Sequence, residues 1–163
     1  MARSERKKLK TRTTWREKLE KEPKIVDIPP KMVKRFVAGK MLIPSPLDVD
    51  ALIRKVKRGK LVTQDEIRRR LAKDFKVNVA CPITTGIFVR IAAEAAEEDL
   101  RGGKRQITPY WRVIKPDGSL NEKFPGGTKA QAASLRKEGH RIQPGKGKKP
   151  PLVKDFEKFL QKL

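Results

Sequence analysis

Lysine and arginine outnumber aspartate and glutamate by 41 to 19 in this chain, a formal net charge of +22 over 163 residues. A compact body with that excess repels itself and attracts polyanions. Ion pairing on the surface cannot absorb it, because there are too few acids to match the bases. Hydrophobic residues make up only 37% of the chain, so one modest core with poorly packed sequence around it is expected, rather than two large domains. Duplex DNA is the first partner such a charge suggests, and RNA the second. No apolar run approaches the ~20 residues of a membrane span. The opening "MARSERKKLKTRTTWREKLEK" lacks the apolar centre of a secretory signal. The expectation is a cytoplasmic protein with no membrane partner, nucleoid-associated if it binds DNA. One cysteine, Cys81, and one histidine, His140, exclude an internal disulfide framework, a multi-cysteine zinc site and a histidine metal cluster. No cofactor is expected.

Helical periodicity is clearest in the middle of the chain. In "SPLDVDALIRKVKRG" (45–59) Ser45 is placed to cap a helix and Pro46 to open its first turn. Val49, Leu52, Ile53 and Val56 follow the i, i+3, i+4, i+7 stripe, and Gly59 is placed to end it. "TQDEIRRRLAKDF" (63–75) opens with a Thr63–Glu66 capping box. It buries Ile67, Leu71 and Phe75 and points Arg68, Arg69 and Arg70 outward. "VNVACPITTGIFVRIAAEAAEEDLRGG" (77–103) predicts a loop and then a longer helix from Pro82, with Ile87, Phe88, Ile91, Ala95 and Leu100 as its core face. "YWRVI" reads as a strand, "KPDG" as a turn and "SLNEKF" as the return. "GGTKAQAASLRKEG" (126–139) is a further helix. Leu152, Phe156, Phe159, Leu160 and Leu163 have helical spacing near the end.

Helix, helix, helix, hairpin, helix is the plan of a winged helix-turn-helix. The expected fold is therefore mainly α with a small β-hairpin, a winged helix-turn-helix-like domain with basic extensions at both ends. A basic arm occupies 1–24, an extended or short-strand lead-in 25–44, the winged-helix domain 45–142, and a basic linker with a C-terminal helix 143–163. A monomer is expected.

Reactive chemistry is sparse. Cys81 precedes Pro82 at a helix start, a setting that lowers a thiol pKa, but no activating histidine is nearby in sequence. A small packed residue at the turn is the plainer account of it. "PGGTKAQ" could place one phosphate at a helix N-terminus, or simply turn the chain. "EAAEED" (94–99) reads as a solvated helix face.

The order "RGKLVTQDEIRRRLA", "PYWRVIKPDGSL", "GGTKAQAASLRKEGHRI" resembles the DNA-binding domain of the O6-alkylguanine-DNA alkyltransferases, over roughly residues 45–142. That family's active-site motif is Pro-Cys-His-Arg-Val. It is followed by a glycine-containing turn, a Gly-Gly segment and a helix ending Glu-Gly-His. The matching residues here are Pro109, Tyr110, Trp111, Arg112 and Val113, then Gly118, Gly126 and Gly127, then Glu138, Gly139 and His140. The resemblance implies that Tyr110 stands at the alkyl-accepting cysteine and Trp111 at its activating histidine, with Glu138 at the retained glutamate. A phenol of pKa near ~10 is a poor alkyl acceptor at neutral pH. The family's base-displacing arginine maps to Thr84 or Thr85, with Arg90 about a turn further on.

This pattern is similar in logic to the alkyltransferase-like proteins, which lack the cysteine and bind alkylated guanine without repairing it. It implies a non-enzymatic DNA-binding protein that senses alkylated guanine and hands the lesion to repair proteins. Tyr110, Trp111 and Glu138 would line the lesion pocket. Arg68, Arg69, Thr84, Thr85, Arg90 and Arg112 would contact DNA. Three alternatives remain: an RNA- or ribosome-associated module on the same fold, an alkyltransferase with Cys81 as a relocated acceptor, and the plainer reading of Tyr110 and Trp111 as core aromatics under the wing.

Overall fold

A computed structural model describes residues 14–33 and 38–163. Most of the expected basic arm, 1–13, and residues 34–37 of the lead-in lie outside the described residues. Among the described residues the chain is mainly helical, with three small sheets.

A single helical turn, α1 (Trp15–Lys18), is capped by Thr14 and pinned by the backbone N–H of Trp15, which donates to Glu98 at 3.1 Å. The lead-in then forms β1 (Lys24–Asp27), the short α2 (Pro30–Val33) and β2 (Lys40–Ile43). β1 and β2 pair antiparallel, with Ile25 opposite Leu42.

The next three helices follow their sequence signals closely. α3 (Pro46–Arg54) has the Ser45 cap completed by Asp48 in a reciprocal capping box, and Val49, Leu52, Ile53 and Val56 are all buried. β3 (Val62–Thr63) runs directly into α4 (Gln64–Asp74). Thr63 caps α4 by accepting from the N–H of Glu66, but the Glu66 carboxylate does not return the bond. It takes the N–H of Leu163 and the guanidinium of Arg69 instead, so only half of the expected box forms.

β4 (Val79–Ala80) joins β2 in parallel and leads into α5 (Pro82–Arg101). Small residues at Ala92, Ala93, Ala95 and Ala96 let other elements press close to α5, and all four are buried. Ile87 and Leu100 depart from the expected core face and are 51% and 49% exposed. The alanines extend the buried arc, and the real core side chains are Phe88, Val89 and Ile91.

The expected strand at 110–114 is mostly a 3-10 turn, Tyr110–Arg112. Only β5 (Val113–Ile114) is extended, and it pairs in parallel with β3 rather than with its own return. The Pro116–Gly118 turn does form: Gly118 has φ of +86° and its N–H donates to Lys115 O at 2.9 Å. Beyond it, Ser119 bridges to Leu152. A second antiparallel pair lies later in the chain, between β6 (Ile142–Gln143) and β7 (Leu152–Val153), after α6 (Gly127–Lys137).

The helix expected over 152–163 is replaced by β7, a 3-10 turn at Phe156–Phe159 and an extended end. Asp155 takes the left-handed conformation (φ +53°), which a continuing helix cannot accommodate. This extended end, 160–163, is a strap that pairs Leu160 with Leu61. Gln161 accepts from Lys57 N–H at 2.9 Å and donates to Lys55 O at 2.8 Å, satisfying the loose end of α3. Among the described residues, no helix is long and apolar enough to cross a membrane.

Candidate nucleic-acid interface

The Tyr110–Arg112 turn is fixed from both sides. Thr108, which is buried, donates its hydroxyl to Asp50 of α3 at 2.6 Å, and Asp50 also holds Arg54. Gln131 of α6 donates to the carbonyls of Trp111 (3.1 Å) and Val113 (2.9 Å) and accepts from Asn121 N–H. With its backbone clamped, the turn sends neighbouring aromatics to different places. Tyr110 enters the main core at 4% exposure, edge-on to Phe124 at 5.4 Å and to Trp111 at 5.5 Å. Its hydroxyl donates to Glu97 at 2.7 Å. Burial, and then the Glu97 carboxylate, push its ionisation well above that of a free phenol. Tyr110 is thus a neutral donor with its proton already engaged.

Trp111 packs against both large core clusters. Its indole N–H donates to Glu138, which also accepts from Arg112 Nε at 2.7 Å and from Gly59 N–H at 3.0 Å. Burial alone would raise the Glu138 carboxyl. The Trp111, Gly59 and Arg112 donors outweigh it and hold the group below its ordinary value. An indole nitrogen has no lone pair to offer, so this pair can orient a ring but cannot withdraw a proton. Arg112 is not available to a phosphate. Its side chain is only 13% exposed and also donates to Val56 O.

His140, three residues beyond α6, is buried with both ring nitrogens unpartnered among the described residues, edge-on to Phe159 at 4.8 Å. Burial lowers its pKa below 6.5, against the opposing pull of Glu138. The unfolded chain therefore takes up this proton first as pH falls. Stability should be complete above about pH 6.5 and decline below it, no more steeply than about 1.4 kcal/mol per pH unit for one proton. Denaturant midpoints from pH 7.5 to 5 for the wild type and His140→Phe test this; the slope should vanish in the variant.

The remaining expected contacts scatter. Thr85 is fully buried and donates to Cys81 O at 2.7 Å, so it faces inward. Thr84 is half-buried. Arg68 pairs with Asp65, and Arg69 with Glu66 and the Leu163 carbonyl. Cys81 is buried beside Ile28 and Met41. Arg90 is exposed and forms no ion pair among the described residues. It lies on an open groove of about 550 Å³ with Ile83, Gly86 and Ile87 of α5 and Gln64 of α4. The opposite wall is the loop after β5, with Lys115, Asn121, Glu122 and Lys123. Periodicity gave no warning of Lys115 and Lys123. Nothing in the loop's composition marked them either, since Asp117 and Glu122 balance the two lysines. Tyr110 does not line this groove.

The architecture matches two solved structures across 72% of this chain and 94% of theirs, at 18% identity. One is S. pombe Atl1 in complex with damaged DNA containing O6-carboxymethylguanine, with a TM-score of 0.52. The other is S. pombe ATL in complex with DNA, with a TM-score of 0.51. The fold is that of Atl1. At this identity the correspondence is one of fold, and it spans nearly the whole Atl1 chain. No protein-family model matches the sequence, and no characterised protein sequence matches it significantly.

Proposed function

We propose that this chain is a non-enzymatic DNA-binding protein of the alkyltransferase-like type, which engages duplex DNA through α5 and the basic groove beside it and marks alkylated guanine for repair proteins. The observation that carries the reading is the Tyr110–Trp111–Glu138 arrangement. A buried phenol bonded to Glu97 and an indole bonded to Glu138 stand where the family resemblance puts nucleophile and activator, and neither group suits those roles. The Atl1-like fold and the +22 charge support DNA as the ligand. Acceptance of an alkyl group at Cys81 is disfavoured by its burial in an apolar cluster with Ile28 and Met41.

A second reading, a duplex binder indifferent to the lesion, is favoured by one observation: Tyr110 is shut in by Phe124 and bonded to Glu97. One titration separates the two. Fluorescence anisotropy on paired duplexes, with and without O6-methylguanine, should show tenfold or greater preference for the lesion under the first reading and equal affinity under the second. Mass spectrometry of the protein afterwards should show no added methyl group. A methylated Cys81 or Tyr110 would overturn the non-enzymatic assignment.

A further inference from the structure

The open face of α5 has a pattern that phosphate binding alone does not use. Ile83, Gly86, Ile87 and Arg90 follow at i, i+3, i+4 and i+7, so they form one stripe along the helix. The isoleucines are 65% and 51% exposed, while Thr85, Phe88, Val89 and Ala92 face the core. Between them Gly86 leaves the helix backbone bare; a Cβ there would meet nothing nearer than Gln64 Oε1 at 3.5 Å. The result is a narrow apolar ridge in an open groove, with Arg90 at one end and Lys115 and Lys123 on the facing wall.

A single exposed isoleucine needs no explanation. Two on adjacent turns, in a groove whose three cations, Arg90, Lys115 and Lys123, outnumber its one acid, Glu122, suit one kind of partner better than another. A protein partner would ask for a broader apolar patch depleted of lysine. A duplex offers phosphates to the cations and an apolar base stack to the ridge. Apolar side chains, isoleucine among them, are what minor-groove binders push between base steps. β-branched side chains have few χ1 rotamers to lose on insertion.

We propose that Ile83 and Ile87 form an apolar wedge that enters a base step of duplex DNA while Arg90, Lys115 and Lys123 hold the flanking phosphates. The inference rests on the duplex-binding function above and adds the manner in which the duplex is deformed. It also accounts for α5 carrying no cation at Thr84 or Thr85. Pyrimidine–purine steps unstack most readily and are the expected entry points.

The test uses the full chain and an undamaged duplex with 2-aminopurine beside a central TA step. Wild-type protein at saturation should raise 2-aminopurine fluorescence severalfold. The Ile83→Ala/Ile87→Ala variant should bind about tenfold more weakly and, at saturation, give less than a fifth of that rise. Both side chains are exposed, so its thermal unfolding should match the wild type. Lys115→Ala/Lys123→Ala should do the reverse: weaker binding, a salt slope reduced by about two, and the full rise at saturation. Tight wild-type binding without a rise in fluorescence would overturn the wedge and leave duplex binding standing. So would an isoleucine double variant that unstacks the step as fully as the wild type. A wild type that fails to bind the duplex would overturn both.

Discussion

Glu138→Ala is expected to destabilise the fold by about 3–5 kcal/mol, the scale for removing one partner from a buried charge pair. The side chain is 5% exposed and receives three donors: the Trp111 indole N–H, the Arg112 guanidinium and the Gly59 backbone N–H. Alanine leaves all three in place with nothing to accept them, including a cation whose side chain is 13% exposed. Against a typical total of about 5–15 kcal/mol, this removes much of the stability. Glu138→Gln keeps the volume and one acceptor, so it should cost less than alanine. Urea midpoints for the three proteins measure the order; an alanine variant within 1 kcal/mol of wild type would show that the cluster contributes little. The same carboxyl has a pH signature. Its folded pKa lies below its ordinary value of 4.5, so its contribution is present above about pH 4.5 and lost as pH falls through the lower folded value. Glu138→Gln should flatten that acid limb; because the Glu138 charge pulls against the burial of His140, the His140 limb below about pH 6.5 should remain and extend to lower pH.

Raising salt from 50 to 200 mM should weaken duplex binding by at least about 40-fold. Each phosphate contact adds about −0.9 to the slope of log affinity against log salt. Arg90, Lys115 and Lys123 line one groove, so three contacts give a slope near −2.7, and a fourfold rise in salt then costs about 4 to the power 2.7. The basic residues of 1–13 can only steepen it. Arg112 should add little, because its side chain is only 13% exposed and its Nε and one terminal nitrogen already donate to Glu138 and Val56. Anisotropy at five salt concentrations gives the slope directly; a slope shallower than −1 would exclude the groove as a phosphate-binding surface.

Helix starts were the most legible part of the sequence. Ser45, Thr63 and Pro82 each stand where the structure begins a helix, because capping chemistry is local and needs no knowledge of the rest of the fold. Strand partners were not legible. Val113–Ile114 looked like half of a hairpin, yet its partner is Val62–Thr63, about fifty residues earlier, and the turn's far side is held by Leu152. Nothing in a two-residue apolar pair names its neighbour. The Trp111–Glu138 contact could be anticipated only through the resemblance, since the two positions share no periodicity. Arg112 and Ile87 failed for opposite reasons. An arginine in a basic chain reads as surface, but here it neutralises a buried acid. An isoleucine in a periodic stripe reads as core, but alanines had already widened the buried arc of α5 past it. Both errors fall at the candidate site or its edge, where local rules are most often overridden.

The strap near the chain's end has a consequence for the order in which the protein is made. Gln161 bonds to Lys57 across 104 residues, and Leu163 to Glu66 across 97. Both bonds close very large loops, and such non-local contacts slow folding. On a ribosome, α3 and α4 emerge early, with the carbonyl of Lys55 and the edge of Leu61 still uncovered. They must wait for nearly a hundred further residues before their partner arrives. A nascent chain stalled near residue 160 would therefore expose its defect not at its own tip but at the junction of α3 and α4.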